Sequence, residues 1–194
     1  MPLERLTMLV VPRDGDVHLV VPHLEAPRVV ERPEVFDLVT WRDGEDPIAR
    51  VVDLVGGAVT AAVGDQMWAG FLVDLGTACP TLSFTRASEV TAPLRMVKDV
   101  DEVEALRRAG AAVDRILADV QAGQVPLVGR TEADVAAQIG RRTLDEGHHR
   151  INFVIVASGP NAASPHHEPG GRVIGDGEGV LFDIGGTMAG PGDV

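Results

Sequence analysis

The sequence predicts an α/β (α+β) fold in two parts, a small α/β domain over residues 1–92 and a second, helix-led part over residues 93–194. Three observations predict it. Short β-rich runs alternate with helical segments through roughly the first half, the order expected of a mixed or parallel sheet. The pattern then turns helical. Finally, two apolar strand-like runs bracket a turn-rich loop.

The elements follow in chain order. Thr7–Val11 and Val17–Val21 are β-rich runs separated by Arg13-Asp14-Gly15-Asp16, and Asp-Gly between such runs signals a hairpin. Val35–Trp41 reads as a third strand. Pro47 suits the first turn of a helix that Asp46 caps and the Gly56-Gly57 pair stops. A strand over 58–63, a helix over 66–75 and a strand over 81–87 complete the first part. The segment TAPLRMVKD marks the switch. Beyond it Val103, Leu106, Ala109, Val113, Ile116, Leu117 and Val120 recur at helical spacing. Asp99 with Glu102 makes a capping-box start and Gly123 a stop. A second helix opens at Thr131, carries Val135, Ile139 and Leu144, and ends at Gly147. Ile151–Ala157 and Gly179–Ile184 read as strands, joined by a loop rich in Gly, Pro and Ser.

Bulk composition narrows the function. The 194 residues are 45% hydrophobic, enough for a real core, and carry a net charge of −12. That charge argues against nucleic-acid or anionic-membrane partners, which require clustered Lys and Arg. The single cysteine, Cys79, excludes an internal disulfide framework and a Cys-based zinc site, and fits the reducing cytoplasm. The first twelve residues lack the parts of a signal peptide, and no apolar run approaches the roughly 20 residues of a bilayer span. The expectation is a cytoplasmic protein.

The chemistry concentrates in SPHHEPGGRVIGDGEGVLFDIGG, residues 164–186. His166 and His167 sit in a Pro-bounded loop, uncommitted to any helix or strand face and able to supply imidazoles near neutral pH. Asp183 ends an apolar run expected to be buried, and a buried carboxylate must be paired or must hold a cation. Gly185-Gly186 behind it admits a close neighbour. Two readings fit these residues alone: a catalytic loop with a metal-binding strand, or surface histidines beside a turn-capping aspartate.

The stretch ASGPNAASPHHEPGGRVI…GVLFDIGG closely resembles the signature of the M24 metallopeptidases of pita-bread fold, nearest to the Xaa-Pro aminopeptidases and dipeptidases (prolidases). His166 stands 17 residues before Asp183, as a Pro-His loop and an aspartate do in that family. Residues 1–90 resemble the creatinase-type N-terminal domain, and the two helices after the switch resemble the family's opening helical pair. The resemblance implies hydrolysis of the bond before proline in peptides with proline at the second position. It also implies two divalent metals, manganese foremost with cobalt or zinc as alternatives, held by two Asp, one His and two Glu. His166 matches a residue that holds substrate by hydrogen bonding rather than metal. His167 is either its support or exposed. Asp183 matches the first metal-binding aspartate.

Asp193-Val194 resembles the Asp-aliphatic pair of the second, metal-bridging aspartate, but the aromatic and serine that precede it in the family are replaced here. The family's remaining ligands lie downstream of the point where this sequence ends. The expectation is therefore a fragment short at both ends, holding the first half of a pita-bread domain, with part of its sheet face uncovered and no activity of its own. A homodimer is compatible. The alternative is a non-catalytic pita-bread module that binds peptide or protein.

Overall fold

The computed structural model describes residues 5–188, and the chain divides into two compact units between Met96 and Val97. Among the described residues no helix is long and apolar enough to cross a membrane.

In the first unit β1 (Met8–Val10), β2 (His18–Pro22) and β3 (Asp37–Trp41) form one sheet in that order. β1 and β2 are antiparallel, with Leu9 opposite Leu19, as the Asp-Gly signal predicts, and Gly15 in the connection takes a positive φ of 110°. β3 joins β2 in parallel. Successive strand residues face opposite sides, so burial of both Val20 and Val21 means that β2 is covered on its two faces. Helix α1 (Pro47–Val55) starts where Asp46 accepts from the Ile48 N–H at 2.9 Å, and it buries Ile48 and Val51. These pack with Leu6, Val10, Val20, Trp41 and Leu75. Trp41 brings an indole N–H into this core, and the Leu6 carbonyl accepts it at 3.0 Å.

A second, two-stranded sheet pairs β4 (Thr60–Val63) in parallel with β5 (Ser83–Arg86), connected through α2 (Ala69–Ala78). The helix starts three residues later than the sequence suggests. Gly64 and Met67 close a turn, and the Asp65 carboxylate, a natural helix cap, is spent elsewhere. It accepts from the Ser88 N–H at 3.0 Å and the Ser88 hydroxyl at 2.8 Å, and from Arg86 Nε at 2.7 Å. That bond set opens α3 (Ser88–Met96), a helix the sequence reading did not include and one that carries Pro93 inside it.

The second unit packs α4 (Val100–Gln121) and α5 (Glu132–Asp145) on one face of an antiparallel pair, β6 (Arg150–Ser158) and β7 (Val180–Thr187). The capping box of α4 is complete: Asp99 accepts from the Glu102 N–H, and Glu102 accepts from the Asp99 N–H, each at 2.9 Å. The Thr131 hydroxyl caps α5 through the Asp134 N–H at 3.1 Å. Ile116, Val135, Ile139, Val156 and Ile174 form the core, with Val154, Phe182 and Ile184 against it. A Cβ at Gly140 would lie 3.2 Å from Ile151 Cδ1, so α5 rides close on the strand.

The loop between β6 and β7 is not loose. It opens with a 3-10 turn over Gly159–Ala163 and returns along the start of α5. There Glu132 N–H donates to the Arg172 carbonyl at 3.0 Å and Ala133 N–H to the Gly170 carbonyl at 3.1 Å. The first N–H groups of a helix have no partner within it, and this loop supplies two.

Candidate active site

The first turn of α5 carries a carboxylate where the packing would ordinarily demand an apolar group. Glu132 is 0% exposed. Its Oε1 accepts from the Ser158 N–H at 2.7 Å and the Ser158 hydroxyl at 2.8 Å. Asn161 Nδ2 donates to both carboxylate oxygens at 3.1 Å, and His167 Nε2 stands 2.8 Å from Oε2. Burial pushes the Glu132 carboxyl up, but the Ser158 N–H, the His167 ring, the Ser158 hydroxyl and the Asn161 amide together pull it down to about 2. The group is therefore an anion at neutral pH.

An ionised carboxylate only accepts, so the facing His167 Nε2 carries the proton. The 3.3 Å approach of Asn161 Nδ2 to that same nitrogen is then two donors converging on one acceptor. Direction propagates further. The Ser158 hydroxyl gives its proton to Glu132, which leaves its oxygen free to accept from Arg172 Nε at 3.1 Å. Arg172 also pairs with Glu178, whose other oxygen accepts from the Gly175 N–H at 2.9 Å. Gly159 sits at φ +50°, and a Cβ there would meet the Arg172 guanidinium at 2.8 Å.

The predicted pair of histidines separates. His167 turns inward, its side chain 18% exposed. His166 is exposed and takes a φ of +56°, the left-handed region that is costly for any residue with a Cβ.

Asp183 departs from the expected burial: it is exposed. The strand alternates, and Phe182 and Ile184 on either side occupy the face packed on the core. Asp183 pairs in register with Ile155, while Leu181 and Phe153 are exposed as well. Asp193 lies outside the described residues. The glycine pair is filled by neighbours from the protein itself: a Cβ on Gly185 would overlap the Phe153 ring, and one on Gly186 would meet the His148 ring at 2.6 Å.

No group of three or more His, Cys, Asp or Glu that could hold a metal occurs among the described residues. Asp183 offers one solvent-facing carboxylate, and these residues do not by themselves fit a divalent-metal centre.

Glu132 escaped the sequence reading because an acidic residue in a helix's first turn is ordinary. A signal was present. Positions 132, 135, 139 and 143 form one helical stripe, and its other members, Val135, Ile139 and Thr143, are all buried. A carboxylate on the buried stripe of a helix, with Ser158 at a strand's end and Asn161 and His167 in the loop after it as available donors, is the pattern to look for.

Two family models match this chain, Metallopeptidase family M24 over residues 104–193 and the Creatinase/Prolidase N-terminal domain over residues 2–97. The protein named "Probable dipeptidase PepE" in Mycobacterium tuberculosis is 45% identical over 193 residues, covering 97% of this chain and 50% of that protein. Among solved structures, dipeptidase PepE from Mycobacterium ulcerans superposes with a TM-score of 0.83 at 42% identity, covering 95% of this chain and 50% of that one. A recombinant prolidase from Thermococcus sibiricus gives 0.85 at 30% identity, covering 96% and 51%. The chain spans about half the length of the relatives it matches.

Proposed function

The chain belongs to metallopeptidase family M24, with a creatinase/prolidase N-terminal domain before its M24 segment, and from that premise we propose that it serves a dipeptidase cleaving the bond before proline, in peptides with proline at the second position. One observation carries the reading. The β6–β7 pair spends Val154, Val156, Phe182 and Ile184 on the core, leaves Asp183 exposed, and presents His166 from the loop joining the same two strands.

In this reading the His166 imidazole holds the substrate and the developing oxyanion by hydrogen bonding. Asp183 and Asp193 offer oxygens to divalent cations, for which manganese is our assignment because hard carboxylate donors suit it. The family implies divalent metals, but the described residues do not gather a complete ligand set, so no step of hydrolysis is assigned to a metal here. We place the protein in the cytoplasm, where its single cysteine stays reduced, acting on peptide without nucleic-acid or membrane partners. A homodimer is compatible with this reading.

The test is release of proline from Xaa-Pro dipeptides, with manganese, by the protein that carries these residues, beside Asp183→Ala. The expected result is metal-dependent hydrolysis reduced to background by the substitution. Peptide binding with no hydrolysis under any divalent metal would instead favour a non-catalytic pita-bread module.

A further inference from the structure

We propose that Glu132 is a positioning residue of this site: by gathering Ser158, Asn161 and His167 its carboxylate fixes the left-handed backbone at His166 and so sets where that imidazole stands. The inference rests on the reading of His166 as the group that holds substrate.

The geometry begins with the strain. A non-glycine residue in the left-handed region is strained and persists only where its surroundings hold it. His166 has no glycine's freedom, and its φ is +56°. The holding points bracket it. Asn161 lies five residues before it and His167 immediately after, and both donate to the one carboxylate. Ser158, at the end of β6, ties the loop's start to the same group twice. The return limb is tied to the backbone of Glu132 through Arg172, and Arg172 reaches Ser158 from the other side. The strained residue thus sits between anchors that share a single acceptor on a rigid helix.

The choice of a carboxylate is itself informative. Loop closure alone needs only an apolar residue on the α5 stripe, as at Val135, and a buried charge is a poor source of stability compared with such a residue. What a carboxylate adds is direction. About four lone-pair sites accept only donors, and here they meet the Ser158 N–H, the Ser158 hydroxyl, the Asn161 amide and His167 Nε2–H. His167 is thereby held in one tautomer and one ring orientation, and the chain leaving it backward enters His166 in one conformation. The adjacent histidines have separate tasks: His167 is the inner peg and His166 the outer hand.

The experiment is solution NMR on the 194-residue chain and on Glu132→Gln, which keeps the shape and replaces an acceptor by a donor. Three readouts are taken: the HN–Hα coupling of His166, which reports φ; the imidazole nitrogen shifts of His167, which report the tautomer; and amide exchange across 159–171. The expected result is a His166 coupling that leaves the left-handed value, mixed tautomers at His167, and loop protection down by about tenfold or more while interior amides of α5 and β6 change less than about threefold. His167→Gln, which keeps a donor at similar reach, should preserve the His166 coupling, and His167→Leu should lose it. This pair decides the matter if Glu132→Gln does not fold. An unmoved His166 coupling, or equal loosening of loop, α5 and β6, would overturn the proposal by making Glu132 a residue of stability alone. None of these readouts requires turnover. Failure of Xaa-Pro hydrolysis would sink the peptidase reading, whereas an unmoved coupling sinks the positioning role.

Discussion

Glu132 Oε2 and His167 Nε2 stand 2.8 Å apart, joining the buried start of α5 to the middle of the β6–β7 loop across 35 residues of sequence. Glu132→Ala removes the acceptor and leaves the Ser158 N–H and hydroxyl, the Asn161 amide and the His167 ring without it. Breaking such a buried set typically costs about 3–5 kcal/mol, and the second unit should lose about that much. Urea denaturation followed by far-UV circular dichroism measures it. A loss below about 1 kcal/mol would mean that water replaces the carboxylate at little cost.

The same anion sets an acid limit. Glu132 titrates near 2 in the folded chain against an ordinary value of 4.5. A carboxylate with a depressed folded value stabilises the fold fully above its unfolded value, and that stabilisation fades as pH falls through the folded one. The difference in stability between the native chain and Glu132→Gln should be constant from neutrality down to about pH 5 and shrink between about 4.5 and 2. A difference that grows on acidification would contradict the ionised assignment.

The adjacent glycines of β7 should respond unequally to alanine. At Gly185 the obstacle is the Phe153 ring, 47% exposed and able to swing into solvent. At Gly186 it is the His148 ring, 4% exposed, with Thr143 Cγ2 behind it at 3.1 Å. Gly185→Ala should cost about 1 kcal/mol and Gly186→Ala about 3 kcal/mol or more, because an overpacked site without room to relax must move backbone. Equal melting temperatures for the two variants would show the His148 pocket to be softer than its burial implies.

Local signals made most of the fold legible. The Asp-Gly hairpin, the Asp46 cap before Pro47, the Asp99–Glu102 box and the Thr131 cap are each written within four residues and recur in the folded chain. What was not legible is long-range. Helix α3 begins because Asp65, 23 residues earlier, accepts from Ser88, and no window around Pro93 contains that information. Asp183 was expected to be buried because its neighbours are apolar, but strand alternation places it opposite them. The histidine pair was legible as a feature, its division into inner and outer members was not, since that depends on Glu132 from another element.

Asp65 supplies a direct check on that non-local cap. The Ser88 hydroxyl and N–H with the Arg86 guanidinium hold its carboxyl below the ordinary value. Asp65→Ala should fray α3 from its start, speeding amide exchange at residues 88–92 by about fivefold, the order expected of a lost helix cap. Unchanged exchange there would show that α3 stands on its own propensity despite Pro93.

The two histidines should part company in kinetics as they do in space. His166 is exposed and its removal takes away no buried partner, so His166→Ala should leave the melting temperature of the second unit within about 2 °C, an ordinary surface effect. If its imidazole holds the substrate carbonyl as the bond breaks, the same substitution should lower kcat for Xaa-Pro hydrolysis by about 10²- to 10³-fold, the usual cost of one oxyanion donor. His167→Ala leaves Glu132 short of one donor and unpins the loop, so it should lower stability by about 1–3 kcal/mol. Its effect on turnover then passes through His166 and should be partly recovered by His167→Gln, which restores a donor to Glu132. Calorimetry and steady-state kinetics on the three variants, in the manganese-supplied protein, separate the roles. A His166→Ala protein with full turnover, beside a His167→Ala protein without any, would reverse the assignment and make the inner histidine the one that meets substrate.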